Sequence, residues 1–96
     1  MSLTELKVKI SPILLKYGVK SASVFGSVAR GQETENSDVD LVVKTGKLKY
    51  GIWSFVGLKQ DLEEVLGKKV DLVSADSINL KLAKKIEHDL TQIYAE

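Results

Sequence analysis

The chain has no cysteine, which excludes a disulfide framework and a thiolate zinc site. Its single histidine cannot build a metal cluster alone. No segment approaches the about 20 apolar residues of a membrane span, and the first residues, with Glu5 among alternating lysines, lack the continuous apolar stretch of a signal peptide. A cytoplasmic protein without membrane attachment is therefore expected. An excess of one charge is also missing: 14 basic and 13 acidic residues give a formal net charge of +1, with no long run of either sign. The bulk field thus offers little grip on a nucleic-acid backbone, and strong nucleic-acid binding is not expected. Internal repeats and low-complexity segments are absent.

What is present is core-forming material. Ninety-six residues, 44% of them apolar, support one core but not two, and a chain of this size buries roughly 60 to 65% of its unfolded surface. Residues 1–96 read as a single domain, with no separate domain for a second substrate.

Ser2 and Glu5 have capping-box spacing, and Leu3, Leu6, Ile10, Ile13 or Leu14, and Tyr17 recur at helical period up to Gly18. This predicts an amphipathic first helix. Pro12 predicts a kink or break near Ser11, because an interior proline loses a hydrogen bond and clashes with the preceding turn, whereas Ser11-Pro12 can cap and restart a second piece. A strand over Val19 to Phe25 follows, then a polar loop from Gly31 to Ser37 and a strand around Leu41 to Val43. Ile52, Phe55 or Val56, Leu58 or Lys59, Leu62 and Leu66 mark a second helix that Gly67 ends. Lys69-Val70-Asp71-Leu72-Val73 reads as another strand. Asp76 or Ser77 can cap a final helix with Leu80, Leu82 or Ala83, Ile86, Leu90, Ile93 and Tyr94 on its apolar side.

The chemistry sits in Gly26-Ser27 and Ser37-Asp38-Val39-Asp40-Leu41. In a strand, positions i and i+2 share a face, so Asp38 and Asp40 project together while Val39, Leu41 and Val43 can face a core. Magnesium prefers such a site: one or two carboxylates, waters and the oxygens of a substrate phosphate. Gly26 lets backbone N–H groups approach phosphate oxygens, and the Ser27 hydroxyl adds a donor. If Ser27 opens a helical turn through Val28 and Ala29, the turn's free N–H groups also favour an anion. Arg30 lies one turn further and can bind phosphate or pair with Glu33 or Glu35. Asp71, on a strand able to pair beside that of Asp38, is the candidate third carboxylate. It could bridge a second metal, since in-line displacement at phosphorus benefits from two ions about 3.5 to 4 Å apart, or take the nucleophile's proton.

Phe25-Gly26-Ser27-Val28-Ala29-Arg30-Gly31, Ser37-Asp38-Val39-Asp40-Leu41 and Val70-Asp71-Leu72-Val73 together resemble the minimal nucleotidyltransferases of the DNA polymerase beta superfamily, over nearly the whole chain and including a closing helix that ends in Ile93-Tyr94. The resemblance implies an αβαβαβ-like α/β (α+β) domain, with a small mixed sheet of about three to four strands, helices on one face and the active site on the other. It also implies transfer of a nucleoside monophosphate from ATP or another nucleoside triphosphate with magnesium, two ions included. The residues matching Gly26 and Ser27 would hold the triphosphate, those matching Asp38 and Asp40 would ligate metal, and Asp71 would complete the triad. Many such proteins are antitoxin partners of helical HEPN ribonuclease toxins, which they inactivate by attaching AMP to a tyrosine. A HEPN-domain partner is implied by analogy alone.

Other residues carry plainer readings. Lys44, Lys47 and Lys49 suit a solvated loop, and Tyr50, Trp53 and Phe55 suit core or interface packing better than base stacking. His88 suits an exposed polar position; Tyr94 packs or marks a contact surface. Three functions stay open: an active nucleotidyltransferase modifying a partner protein, a non-catalytic antitoxin acting by occlusion, and a small-molecule nucleotidyltransferase whose second lobe comes from a homo-oligomer.

Carboxylates at short range disfavour mutual ionisation, which bound cations relieve. Magnesium plus a nucleoside triphosphate is expected to raise the melting temperature. Asp40→Asn should abolish the rise while leaving the metal-free protein as stable or slightly more so. An equal ligand-induced shift in the variant, read by thermal denaturation, removes Asp40 from the site.

Overall fold

Leu6, Ile10 and Leu14 stand at helical spacing and are the residues that helix α1 (Leu3–Lys16) buries completely. The computed structural model describes residues 2–26, 38–46, 51–75 and 90–96. At the start of α1 the Ser2 hydroxyl accepts the Glu5 N–H at 3.1 Å, the expected cap. Of the expected kink or break near Ser11, the break is not there: α1 runs through Pro12 without interruption. Pro12 removes the donor that would meet the Val8 carbonyl, but Val8 and Pro12 are both exposed, so water can serve that carbonyl. In the same turn the Ser11 hydroxyl donates to the Lys7 carbonyl.

Strand β1 (Val19–Phe25), strand β2 (Val39–Thr45), helix α2 (Ile52–Leu66), strand β3 (Val70–Ser74) and strand β4 (Thr91–Ala95) follow in chain order. The strands form one mixed sheet in the order β3-β2-β1-β4. β1 is antiparallel to both neighbours, and β2 and β3 are parallel. The α2 connection supplies the crossover that a parallel pair needs. Leu58, Leu62 and Leu66 line the buried side of α2, and they meet Leu6, Ile10 and Leu14 of α1 over Val24, Leu41, Val43 and Val70 of the sheet. Truncating one such leucine to alanine costs about 2 to 5 kcal/mol. Both helices therefore cover one face.

In β1, Val19 and the pair Ala22, Val24 are all buried although their parity differs; a bulge between Val19 and Ser21 resets the alternation. Gly67, at φ +64, ends α2 in the left-handed conformation expected of a closing glycine, and its N–H donates to the Glu63 carbonyl at 2.9 Å.

Ile93 and Tyr94 do not end a helix as expected. They lie in β4, which pairs antiparallel with β1 from Val24↔Thr91 to Ser21↔Ala95, and the Glu96 N–H extends the contact to the Lys20 carbonyl at 2.9 Å. Thr91, Ile93 and Tyr94 are strand-favouring residues, and the bare edge of β1 supplies the backbone partners that decide the matter. Ile93 is buried in the main core and Tyr94 packs against it. Leu90, expected on the same apolar side, is exposed and not helical, and residues 76–89 lie outside the described residues. Among the described residues, no helix is long and apolar enough to cross a membrane.

A polar clasp joins the two helices. The Tyr17 hydroxyl donates to Asp61 Oδ2 at 2.7 Å, and Lys16 Nζ lies 3.6 Å from the same oxygen. A Cβ at Gly57 would stand 3.0 Å from the Tyr17 hydroxyl. Glycine inside α2 costs about 1 kcal/mol in helix propensity, and it leaves room beside the phenol. The hydrogen bond to Asp61, then burial, then the carboxylate's charge raise the Tyr17 phenol above its ordinary value. The fold thus favours the neutral phenol, so this contribution is complete below about pH 10 and is lost as pH rises through the raised value. Tyr17→Phe should cost about 1 kcal/mol near neutral pH, and the gap between variant and parent should shrink as the solution becomes strongly alkaline. Urea unfolding across the range checks it; a gap that is constant to about pH 11 contradicts the assignment.

Candidate functional site

Strand parity sorts the side chains of β2. Val39, Leu41 and Val43 are buried against the helices, so Asp40 and Val42 belong to the opposite, open face, and Asp38 stands exposed immediately before the strand. On β3 the same rule sends Val70 into the core and leaves Asp71 and Val73 to the open face. The parallel register sets Asp40 opposite Asp71, and neighbouring strands run about 4.8 Å apart. On its other side Asp40 is paired with Phe25, the last residue of β1. Asp40 therefore sits on a central strand between the end of β1 and Asp71. The Val39 N–H donates to the Lys69 carbonyl at 2.9 Å, which ties the start of β2 to the start of β3.

Gly26 follows directly on β1, at φ +76. A Cβ built there would stand 2.5 Å from Asp40 Oδ2. The left-handed backbone favours glycine, and any side chain there would push the Asp40 carboxylate aside. Asp40 is half-buried, whereas Asp38 and Asp71 are exposed. Among the described residues, no group of three or more acidic, histidine or cysteine side chains gathers tightly enough to hold an ion unaided. Asp40 and Asp71 are register partners on one face, and Asp38 precedes the strand two residues from Asp40. Ser27 and Arg30 lie outside the described residues, as do Lys47, Lys49, Tyr50 and His88.

The open face carries an apolar cluster that sequence reasoning did not single out. Phe25 and Val42 are buried together, with Val73 and Ala75 packed against them. Parity holds the clue, since Val42 stands two residues after Asp40 and Val73 two after Asp71. Lys44 is exposed, though within β2 and not in the expected loop; Phe55 packs against the core as expected, but Trp53 is 76% exposed and packs against neither cluster. An open cleft of about 470 Å³, lined by Thr45, Gly51, Ile52, Phe55, Leu72, Val73 and Ser74, includes none of the three carboxylates.

Comparison with known proteins identifies the family and the fold. The family described as Polymerase beta, Nucleotidyltransferase matches residues 8–96. A candidate protein adenylyltransferase of Methanocaldococcus jannaschii is 46% identical over 93 residues, covering 97% of this chain and 99% of the relative. Among solved structures, a candidate minimal nucleotidyltransferase superposes with a TM-score of 0.76 at 31% identity, over 95% of both chains. A toxin-antitoxin crystal structure with AMP-PNP superposes with a TM-score of 0.78 at 26% identity, covering 94% of this chain and 73% of that one. The mixed sheet with helices on one face is the fold shared by these proteins, and this chain belongs to the polymerase beta nucleotidyltransferase family, an enzyme family.

Proposed function

We propose that this chain transfers AMP from ATP to a hydroxyl of a partner protein in the cytoplasm, most specifically a tyrosine of a HEPN-type toxin, and so acts as its antitoxin. The observation that carries the reading is the register pairing of Asp40 with Asp71 on the open face, with Gly26 abutting the Asp40 carboxylate. The adenylyltransferase name of the archaeal relative supports AMP as the transferred group, and the toxin-antitoxin structure with AMP-PNP supports ATP as its source. The motif resemblance adds the tyrosine acceptor.

The donor set fits magnesium. Carboxylates are hard oxygen ligands, the type taken by an ion that uses one or two of them and completes its shell with water and phosphate oxygens. Asp38 and Asp40 would hold it, with Asp71 toward a second ion. When bound, magnesium neutralises charge on the triphosphate and acidifies the attacking hydroxyl. Gly26 and Ser27 hold the phosphates through backbone N–H groups and a hydroxyl, and Arg30 contributes a cation. The acceptor oxygen bonds to the α-phosphorus as the bond to the bridging oxygen of pyrophosphate breaks. Asp71, exposed on the strand beside Asp40, takes the acceptor's proton.

Incubation of the purified chain with magnesium, α-labelled ATP and the HEPN protein of a neighbouring reading frame should place label on that protein. Asp38→Asn and Asp40→Asn should each reduce labelling by about 100-fold or more. Label that persists in both variants shows the site lies elsewhere, and toxin neutralised without label favours occlusion. Gly26→Ala should cost about 1 to 2 kcal/mol through its positive φ and displace the Asp40 carboxylate. It should therefore lose transfer while remaining folded by circular dichroism. Full transfer by that variant would show that the Gly26 contact does not place Asp40.

A further inference from the structure

Strand β3 lies at the edge of the sheet. In a parallel pair, successive residues of one strand direct their backbone groups alternately toward the neighbour and away from it. The Lys69 carbonyl is engaged by the Val39 N–H, so the Val70 N–H points away from β2, toward the open edge. It is met there by a side chain from the other end of the connection. Glu63, near the end of α2, accepts the Val70 N–H on Oε2 at 3.0 Å. The Glu63 main-chain carbonyl also accepts the Gly67 N–H at 2.9 Å. One residue therefore holds both ends of the link over which α2 hands the chain to β3.

We propose that Glu63 is a positioning residue for Asp71. The inference rests on the reading of Asp38, Asp40 and Asp71 as the metal and nucleotide site. The Val70 N–H is one residue from Asp71, so the carboxylate that fixes it fixes the backbone from which Asp71 projects. The constraint matters because side-chain direction in a strand alternates: a slip of one residue would turn Asp71 into the core and Val70 out of it. The Val39 to Lys69 bond holds β3 from its inner side, and Glu63 holds it from the outer side. An ionised acceptor makes the outer bond a strong one. A glutamine retains an acceptor oxygen at the same reach, whereas an alanine removes it.

The experiment compares the full chain with Glu63→Ala, Glu63→Gln and Asp71→Asn by two measurements. One is amide hydrogen exchange at Val70 by NMR; the other is the magnesium concentration that gives half of the ATP-induced rise in melting temperature. Glu63→Ala should speed Val70 exchange and raise that magnesium concentration, each by about tenfold. Glu63→Gln should return both to within about threefold of the parent. A folded Glu63→Ala protein with the parent's magnesium dependence, in a series where Asp71→Asn alters it, overturns the inference and leaves the carboxylate site standing. A glutamine variant as defective as the alanine one overturns it too. An Asp71→Asn protein with the parent's dependence overturns the carboxylate reading of Asp71, and the role of Glu63 with it. Should Glu63→Ala fail to fold, Glu63→Asp replaces it: the charge stays, the acceptor is withdrawn by one methylene, and the same losses are expected.

Discussion

Burying Val39, Leu41 and Val43 on one face of β2 obliges Asp40 and Val42 to take the other. The remaining geometry of the open face depends on this alternation. β2 is flanked by β1 and β3, so whatever its open face presents is set beside the end of one strand and the start of another. The helices supply the force that holds it so. Leu6, Ile10 and Leu14 from α1 and Leu58, Leu62 and Leu66 from α2 close over the apolar side, and a slip of one residue in β2 would exchange valines for carboxylates in that core.

Placing Asp40 opposite Asp71 brings two like charges to adjacent strands, which by itself opposes folding. Several local features fit this arrangement. Gly26 gives the Asp40 carboxylate space that any side chain would deny it, and the Phe25 and Val42 cluster fills the same face with apolar packing. The bond from the Val39 N–H to the Lys69 carbonyl, with the Glu63 carboxylate on the Val70 N–H, holds the starts of both strands. Such a face is held by apolar packing behind it and backbone bonds beside it, and a counter-charge would relieve the repulsion between its carboxylates. For the proposed transfer of AMP, that counter-charge is the metal that accompanies the triphosphate.

Much of this was legible residue by residue. The periodic leucines of α1 and α2, the serine cap, the closing Gly67 and the apolar runs of β1 and β3 are local signals, and each produces the element it predicts. The departures were decided by distant partners. Pro12 stays inside α1 because its exposed turn tolerates the missing bond and the core beneath holds the helix on both sides of it. Ile93 and Tyr94 carry a pattern compatible with a helix face or a strand, and only the edge of β1 selects the strand.

The amino-acid sequence by itself determined the element order up to β3, the burial of Val39, Leu41 and Val43, and Asp40 on the other side, because strand parity is a property of the covalent chain. The nucleotidyltransferase family was equally readable from its short motifs. Tertiary structure alone decided that Asp71 stands opposite Asp40, that Gly26 is needed for the Asp40 carboxylate as well as for its turn, that Glu63 reaches the Val70 N–H, and that the chain's last residues form β4. Each of these joins residues separated along the chain through register or close packing, and neither distance is written in local spacing.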